Sequence, residues 1–142
     1  MLFQSEYIVI TQEYAGRILR YRRTAVPFPS LEAAERTYEQ VLSTYDRVGR
    51  QGRGLLVDSR DAQGRNDPEF ESSLIRFRSR AIPGFSAYAV LMRTAVGMLQ
   101  AQRMNRSLRG DPQPFLTTDQ EDEAIRFLLA QLRSPRAADF GE

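Results

Sequence analysis

Apolar and polar positions repeat with two different periods along the chain, and the changes of period divide it into strands and helices. Residues 5–13 (SEYIVITQE) and 17–25 (RILRYRRTA) are rich in β-branched and aromatic residues, and the turn-forming pair Ala15-Gly16 separates them. The chain is therefore predicted to begin with a hairpin of two antiparallel strands. Pro27 follows, and proline ends strand pairing because it cannot donate to a ladder.

Four later segments place apolar residues three or four positions apart, which is the spacing of a helix with one buried side. Ser30 precedes the first of them, residues 31–48, and is its predicted N-cap. Asp67 and Pro68 begin the second, with the aspartate as cap and the proline at the first helical position.

Threonines are the predicted caps of the last two helices. Thr94 precedes the third, and Thr118 to Glu121 has the spacing of a capping box for the fourth. The third helix has a stripe that we interpret as core packing against the sheet rather than as a groove for a partner, namely Gly97, Ala101, Met104 and Leu108.

Short apolar runs lie between the helices, at residues 54–57, 87–92 and 114–117. Strands that alternate with helices in this way indicate a parallel sheet with right-handed crossovers. The predicted order is β-β-α-β-α-β-α-β-α. The fold class is thus α/β, with a mostly parallel, mixed five-stranded sheet, an antiparallel N-terminal hairpin and about four helices. Residues 1–132 form one domain, and residues 133–142 are predicted to be a flexible tail.

The composition of the 142 residues excludes most kinds of catalysis, because histidine, cysteine and tryptophan are absent and all 20 basic residues are arginine. The usual general base, thiol nucleophiles, Schiff-base lysines and zinc sites of cysteine and histidine are therefore excluded. Carboxylate chemistry, or Mg²⁺ held by carboxylates, remains open. We expect no enzymatic activity, no cofactor and no metal site.

Charge and hydropathy restrict the partners and the location. A formal net charge of +2 is too small for the electrostatics of a nucleic-acid-binding protein. No apolar stretch approaches the ~18 residues of a membrane helix, and the N-terminal residues lack the basic region of a signal peptide. We therefore expect a cytoplasmic protein without membrane insertion, and self-association through a sheet edge or a helix face is left open.

Three stretches, taken in order, carry a resemblance to a known family. They are GLLVDSRDA (54–62), AYAVLMRTAVGMLQAQRM (87–104) and FLTTDQEDEAIRFL (115–128). Across residues 5–132 the chain resembles the STAS fold of anti-sigma-factor antagonists, and more narrowly the bacterial SpoIIAA-like set. The resemblance implies a small regulatory or scaffolding module that docks on partner proteins without a cofactor.

The resemblance also implies a modification site. In antagonist members a serine or threonine at the end of the third strand is phosphorylated by a partner kinase, and the added charge switches docking. Ser59, after Asp58, occupies the matching position. The chain departs from the pattern because residues 60–66 separate Ser59 from the predicted cap Asp67, so the positive end of the helix cannot act on it. A turn serine that bonds nearby backbone is the alternative.

Polar residues follow three of the predicted strands, where open parallel sheets gather their ligands. We take them as candidates for regulation or partner docking: Asp58, Ser59, Arg60, Asp61, Arg93, Thr94, Thr118 and Asp119. The alternative is a small-ligand or metal site, or a carboxylate-dependent enzyme, around Asp58, Asp61 and Asp119.

Four arginines crowd the second strand of the hairpin: Arg17, Arg20, Arg22 and Arg23. We interpret them as charges that protect a sheet edge from pairing with another chain. A docking surface for an acidic partner is the alternative.

Overall fold

A computed structural model describes residues 1–63, 67–110 and 112–132; the predicted tail, 133–142, lies outside the described residues. The elements, in chain order, are β1 (Phe3–Gln4), β2 (Ile8–Glu13), β3 (Ile18–Arg23), α1 (Leu31–Val48), β4 (Gly54–Asp58), α2 (Pro68–Ala81), β5 (Ala87–Leu91), α3 (Ala95–Ser107), β6 (Phe115–Thr118) and α4 (Glu121–Leu132).

One mixed sheet runs through the molecule in the order β1-β2-β3-β4-β5-β6. The first three strands are antiparallel, and β3 to β6 are parallel. The predicted fold class is confirmed, with one strand more than the five expected. The additional strand is β1, whose Phe3 and Gln4 pair with Ile10 and Val9. Two residues are too few to show a period in the sequence, which is why β1 was not predicted.

Helices cover both faces of the sheet, but unequally. The front face packs against α1, α2 and α3 and holds the larger apolar core, in which Leu19 and Tyr21 of β3 lie. The back face packs against α4, where Ile18 and Leu56 meet Leu128. Successive residues of a strand point to opposite faces, so Arg20 of β3 lies on the back face between the buried residues on either side of it.

The predicted caps of the first three helices are confirmed. The hydroxyl of Ser30 accepts a hydrogen bond from the Ala33 amide at 3.1 Å, and that of Thr94 accepts one from the Gly97 amide at 3.0 Å. The Asp67 carboxylate caps α2 in the same way. Each side chain satisfies an amide that has no partner within its helix.

The predicted cap of the fourth helix is wrong. Thr118 is the last residue of β6, and its hydroxyl accepts a hydrogen bond from the Gln120 amide at 3.1 Å, before the helix begins. The carbonyl of Gln120 accepts the first intrahelical bond, from Ala124, which places Gln120 at the cap position. Glu121 does not turn back to a cap because Arg20 and Arg60 bind its carboxylate instead.

The interpretation of the arginine-rich strand as a sheet edge is also wrong. β3 lies between β2 and β4 and pairs with both, while β1 and β6 form the edges. The hairpin joins the parallel part of the sheet through its second strand, so Arg20, Arg22 and Arg23 belong to an interior strand. Arg17 precedes that strand, and its Nε donates to the carbonyl of Tyr14.

Gly54 allows α4 to lie close to the sheet. A Cβ at this position would lie 3.1 Å from both Cβ and Cδ2 of Leu128. Since the Cβ of Leu128 is fixed to the helix backbone, it cannot move aside as the end of a flexible side chain can. The glycine therefore sets the distance between β4 and α4.

Candidate functional site

The structure separates the eight candidate residues instead of bringing them into one site. Asp58 and Arg60 lie in a network of ion pairs, and Ser59 lines a cavity on the front face. Asp61, Arg93 and Thr94 are exposed at the carboxyl ends of β4 and β5, and Thr118 and Asp119 lie one strand further along the sheet. These surroundings differ in burial and charge, so they support different roles.

The network joins five charged side chains from five parts of the chain, and we call it the ion-pair cluster: Glu13, Arg20, Asp58, Arg60 and Glu121. Arg20 is at its centre. It donates to both oxygens of Glu13, from Nε at 2.6 Å and from Nη2 at 3.1 Å. Its Nη1 donates to Asp58 Oδ2 at 3.0 Å and to Glu121 Oε1 at 2.9 Å. One guanidinium therefore ties β2, β4 and α4 to β3.

Arg60 closes the cluster from the loop after β4. Its Nε and Nη2 donate to the two oxygens of Asp58 at 2.9 and 2.8 Å, and Nη2 also reaches Glu121 at 3.0 Å. This fork-to-fork geometry is the strong form of an arginine–carboxylate pair. Asp58 thus binds two arginines while its side chain is only 3% exposed.

The arginines of the cluster lower the pKa values of Asp58 and Glu13, which favours the ionised form of both carboxyls. Burial raises the pKa of the Asp58 carboxyl, but hydrogen bonds from Arg60 and the charges of Arg60 and Arg20 outweigh it and leave the pKa below its usual value. Hydrogen bonding from Arg20 lowers the pKa of Glu13. Asp58 and Glu13 are therefore held in their ionised forms, and neither is suited to act as a general acid or base near neutral pH.

Ser59 is less accessible than the phosphorylation hypothesis requires. The residue is 8% exposed, and its amide donates to the carbonyl of Leu91 on the neighbouring strand. Seven residues, 60–66, separate it from the cap Asp67, in agreement with the loop length read from the sequence. A kinase would need this loop to open, so phosphorylation of Ser59 stays a prediction. Intact-mass measurement of the protein from its native host tests it.

A polar pair and an apolar pair are exposed side by side where β5 leads into α3. Arg93 Nη2 binds Asp61 Oδ1 at 3.0 Å, with both side chains largely in solvent. One turn later Val96 and Leu99, which are three residues apart on α3, are each 65% exposed. We call Asp61, Arg93, Thr94, Val96 and Leu99 the α3 surface.

The carboxylates named for the alternative function do not converge. Asp58 is held by two arginines, Asp61 by Arg93, and Asp119 accepts from the Gln120 side chain at 3.3 Å. Thr118 is buried within the sheet. Within residues 1–63, 67–110 and 112–132, no three acidic side chains are placed to hold a metal ion together.

Sequence reasoning missed Glu13, Arg20 and Glu121 as members of the cluster. The sequence did carry a signal for Arg20, because this residue stands between the apolar Ile18 and Leu19 on one side and Tyr21 on the other, all three of which are buried. An interior arginine requires carboxylate partners, since a buried charge without one is strongly unfavourable. The sequence does not show which carboxylates supply them, because Glu121 lies 101 residues away.

Comparisons with known proteins support the fold. Neither a protein-family model nor a curated protein matches the chain. Among solved structures, an uncharacterized protein of the DUF3478 family with a SpoIIAA-like fold, from Shewanella loihica PV-4, is 13% identical with a TM-score of 0.64, over 85% of this chain and 91% of that one. An anti-sigma-factor antagonist (STAS) domain protein from Planctomyces limnophilus is 21% identical with a TM-score of 0.54, over 87% and 97%.

The fold is therefore that of STAS domains, of the SpoIIAA-like kind. The predicted resemblance is confirmed at the level of fold, and identities this low say nothing more specific. Across the described residues, no helix combines the length and the apolar character needed to cross a bilayer.

Proposed function

We propose that this domain is a non-enzymatic regulatory module of bacterial type that docks on a partner protein through the α3 surface. The observation that carries the proposal is the exposure of Val96 and Leu99, at 65% each, beside the Arg93–Asp61 ion pair. Apolar side chains flanked by polar groups are typical of a protein-interaction site. The STAS protein from Planctomyces limnophilus, described as an anti-sigma-factor antagonist, shares this fold.

The arrangement of the ion-pair cluster supports the non-enzymatic part of the proposal. Its carboxylates are engaged by arginines, and these partners lower the pKa values of Glu13 and Asp58, away from the neutral range in which proton transfer is efficient. We assign the cluster a structural role: it holds β2, β3, β4 and α4 together behind the carboxyl edge. A rigid edge presents the α3 surface with little loss of conformational freedom on binding.

The test is affinity capture from the host of origin, with the full chain as bait and partners identified by mass spectrometry. The double variant Val96→Ser/Leu99→Ser removes the apolar pair, and Val26→Ser, at a residue 42% exposed on the loop before α1, is the matched control. We expect one partner with wild type and with Val26→Ser, reduced at least roughly tenfold with the double variant, as for a hot spot. Equal recovery with all three baits contradicts the α3 surface.

A further inference from the structure

A cavity opens on the front face of the sheet, between α2 and α3. Its volume is about 350 Å³, which falls within the range of ~300–1,000 Å³ typical of small-molecule sites. Ser59 and the ends of β3 and β5 form its floor, while residues of α2 and α3 form its sides. It lies apart from the ion-pair cluster, which is on the back face.

Aromatic rings and thioethers make up much of the apolar wall: Tyr21, Phe28, Tyr38, Phe70, Met92 and Met104. The rings already contact one another in this part of the molecule; Phe28 meets the edge of Tyr38 with centroids 5.6 Å apart. Flat rings and polarisable sulfur form favourable contacts with a further aromatic ring. The wall therefore suits a planar aromatic body.

Arg78 of α2 supplies a positive charge to this cavity. Its Nη1 donates to Sδ of Met104 at 3.3 Å, and a thioether is a weak acceptor. In the described part of the chain no carboxylate lies within ion-pair distance of it, although the other arginines of α2, Arg76 and Arg80, each pair with a glutamate of α1. Arg78 is half-buried, so solvent screens its charge less than that of its neighbours.

The rest of the lining leaves the positive charge in excess. Arg23 stacks on Phe28 with its guanidinium 4.4 Å from the ring centroid, and Arg103 binds Glu71 at 2.8 Å. Glu71 is the one acidic residue in the described lining, against three arginines. A neutral or cationic ligand leaves this charge uncompensated, whereas an anion compensates it.

We propose that the cavity binds a small aromatic anion: a planar ring system bearing one carboxylate, sulfonate or phosphate, with the anionic group on Arg78 and the rings between the aromatic and methionine side chains. Hydrogen bonds to a charged group in a partly desolvated site discriminate strongly against a neutral analogue. Binding at this site does not depend on the α3 surface.

Titration calorimetry of the full chain with naphthoate tests the proposal. Naphthamide is the neutral analogue of the same shape, and decanoate is an anion of similar size without rings. We expect naphthoate to bind at one site per chain, and naphthamide and decanoate to bind at least roughly tenfold more weakly. No binding of naphthoate overturns the proposal, equal binding of naphthamide overturns the role of charge, and tighter binding of decanoate overturns the aromatic class.

Substitutions in the lining of the cavity test whether the ligand binds there. Arg78→Met keeps an unbranched stem and removes the charge, and Arg76→Met, two positions away on the same helix and exposed, is the matched control. We expect Arg78→Met to weaken naphthoate binding roughly tenfold and leave naphthamide binding unchanged, with Arg76→Met equal to wild type. Equal binding of naphthoate by Arg78→Met and wild type contradicts the assignment.

Two further variants fill the space, Leu74→Trp and, at an exposed position of the lining, Gln100→Trp. We expect either one to abolish binding while thermal unfolding without ligand stays cooperative. Unchanged binding in a folded filling variant places the ligand elsewhere and overturns the proposal. Val96→Ser/Leu99→Ser should bind naphthoate as wild type does, so failure of the docking proposal and failure of this one are distinguishable.

Discussion

The guanidinium of Arg20 lies 3.0 Å from the carboxylate of Asp58, and this contact joins two neighbouring parallel strands on the back face of the sheet. Asp58 is almost completely buried, and Arg20 is 13% exposed. The loss of one partner from an ion pair with so little access to solvent costs more stability than the loss of a surface pair, because a desolvated charge is left behind. The relationship leads to two predictions about stability.

Arg20→Met should destabilise the protein by about 2–3 kcal/mol, because the buried Asp58 loses one of its two arginine partners and the half-buried Glu13 loses its partner. The value is below the ~3–5 kcal/mol typical of a broken buried pair because Arg60 continues to bind Asp58. Urea unfolding at pH 7 measures it. Arg36→Met is the control: the Arg36–Glu32 pair is exposed, and its loss should cost less than about 0.5 kcal/mol. Equal costs for the two variants contradict the structural role of the cluster.

Stability should fall in acid partly through Asp58. Its pKa is lower in the folded protein than the ~3.9 of an unfolded chain, so its contribution is present above the unfolded value and is lost as the pH falls through the folded value. Asp58→Asn should therefore be less stable than wild type at pH 7, and the difference should shrink below about pH 4. Urea unfolding of both proteins across this range measures it. A difference that stays constant down to low pH is inconsistent with an ionised, arginine-bound Asp58.

Gly54→Ala should destabilise the protein by about 1 kcal/mol, because the new methyl group meets Leu128 and the overpacking outweighs the lower entropy of the unfolded chain. In the background of Leu128→Ala, where Cγ and Cδ2 are gone and only the contact with Cβ remains, the same substitution should cost less. Urea unfolding of the four proteins gives the coupling between the two positions. Additive costs contradict the close approach of β4 and α4.

Most of the fold could be predicted from the sequence because every element except β1 carried a local signal. Ser30, Asp67 and Thr94 cap the helices they were predicted to cap, and the apolar runs 54–57 and 87–92 match β4 and β5 to within one residue. The errors arise where position is fixed by distant contacts. Thr118 has the spacing of a cap, but pairing with β5 holds it in β6.

The site was predictable in part. The carboxyl ends of the strands follow from topology, and the candidate residues do lie there. The topology does not show which of these residues lie close together, because their burial and their partners are determined by elements far apart in sequence. Arg60 and Asp61 are adjacent in the chain, yet one lies in the ion-pair cluster and the other at the exposed α3 surface. The sequence does not distinguish Arg78 from the other arginines of α2.

The back face of the sheet depends on α4, which a ribosome makes after all of the strands. Until the segment up to Leu132 has emerged, Ile18, Leu56 and Leu91 have no cover, and Arg20 lacks the carboxylate of Glu121. A nascent chain halted before this helix therefore exposes an apolar, aggregation-prone surface of the kind that chaperones recognise. Translation must therefore pass Leu132 before α4 can cover the back face.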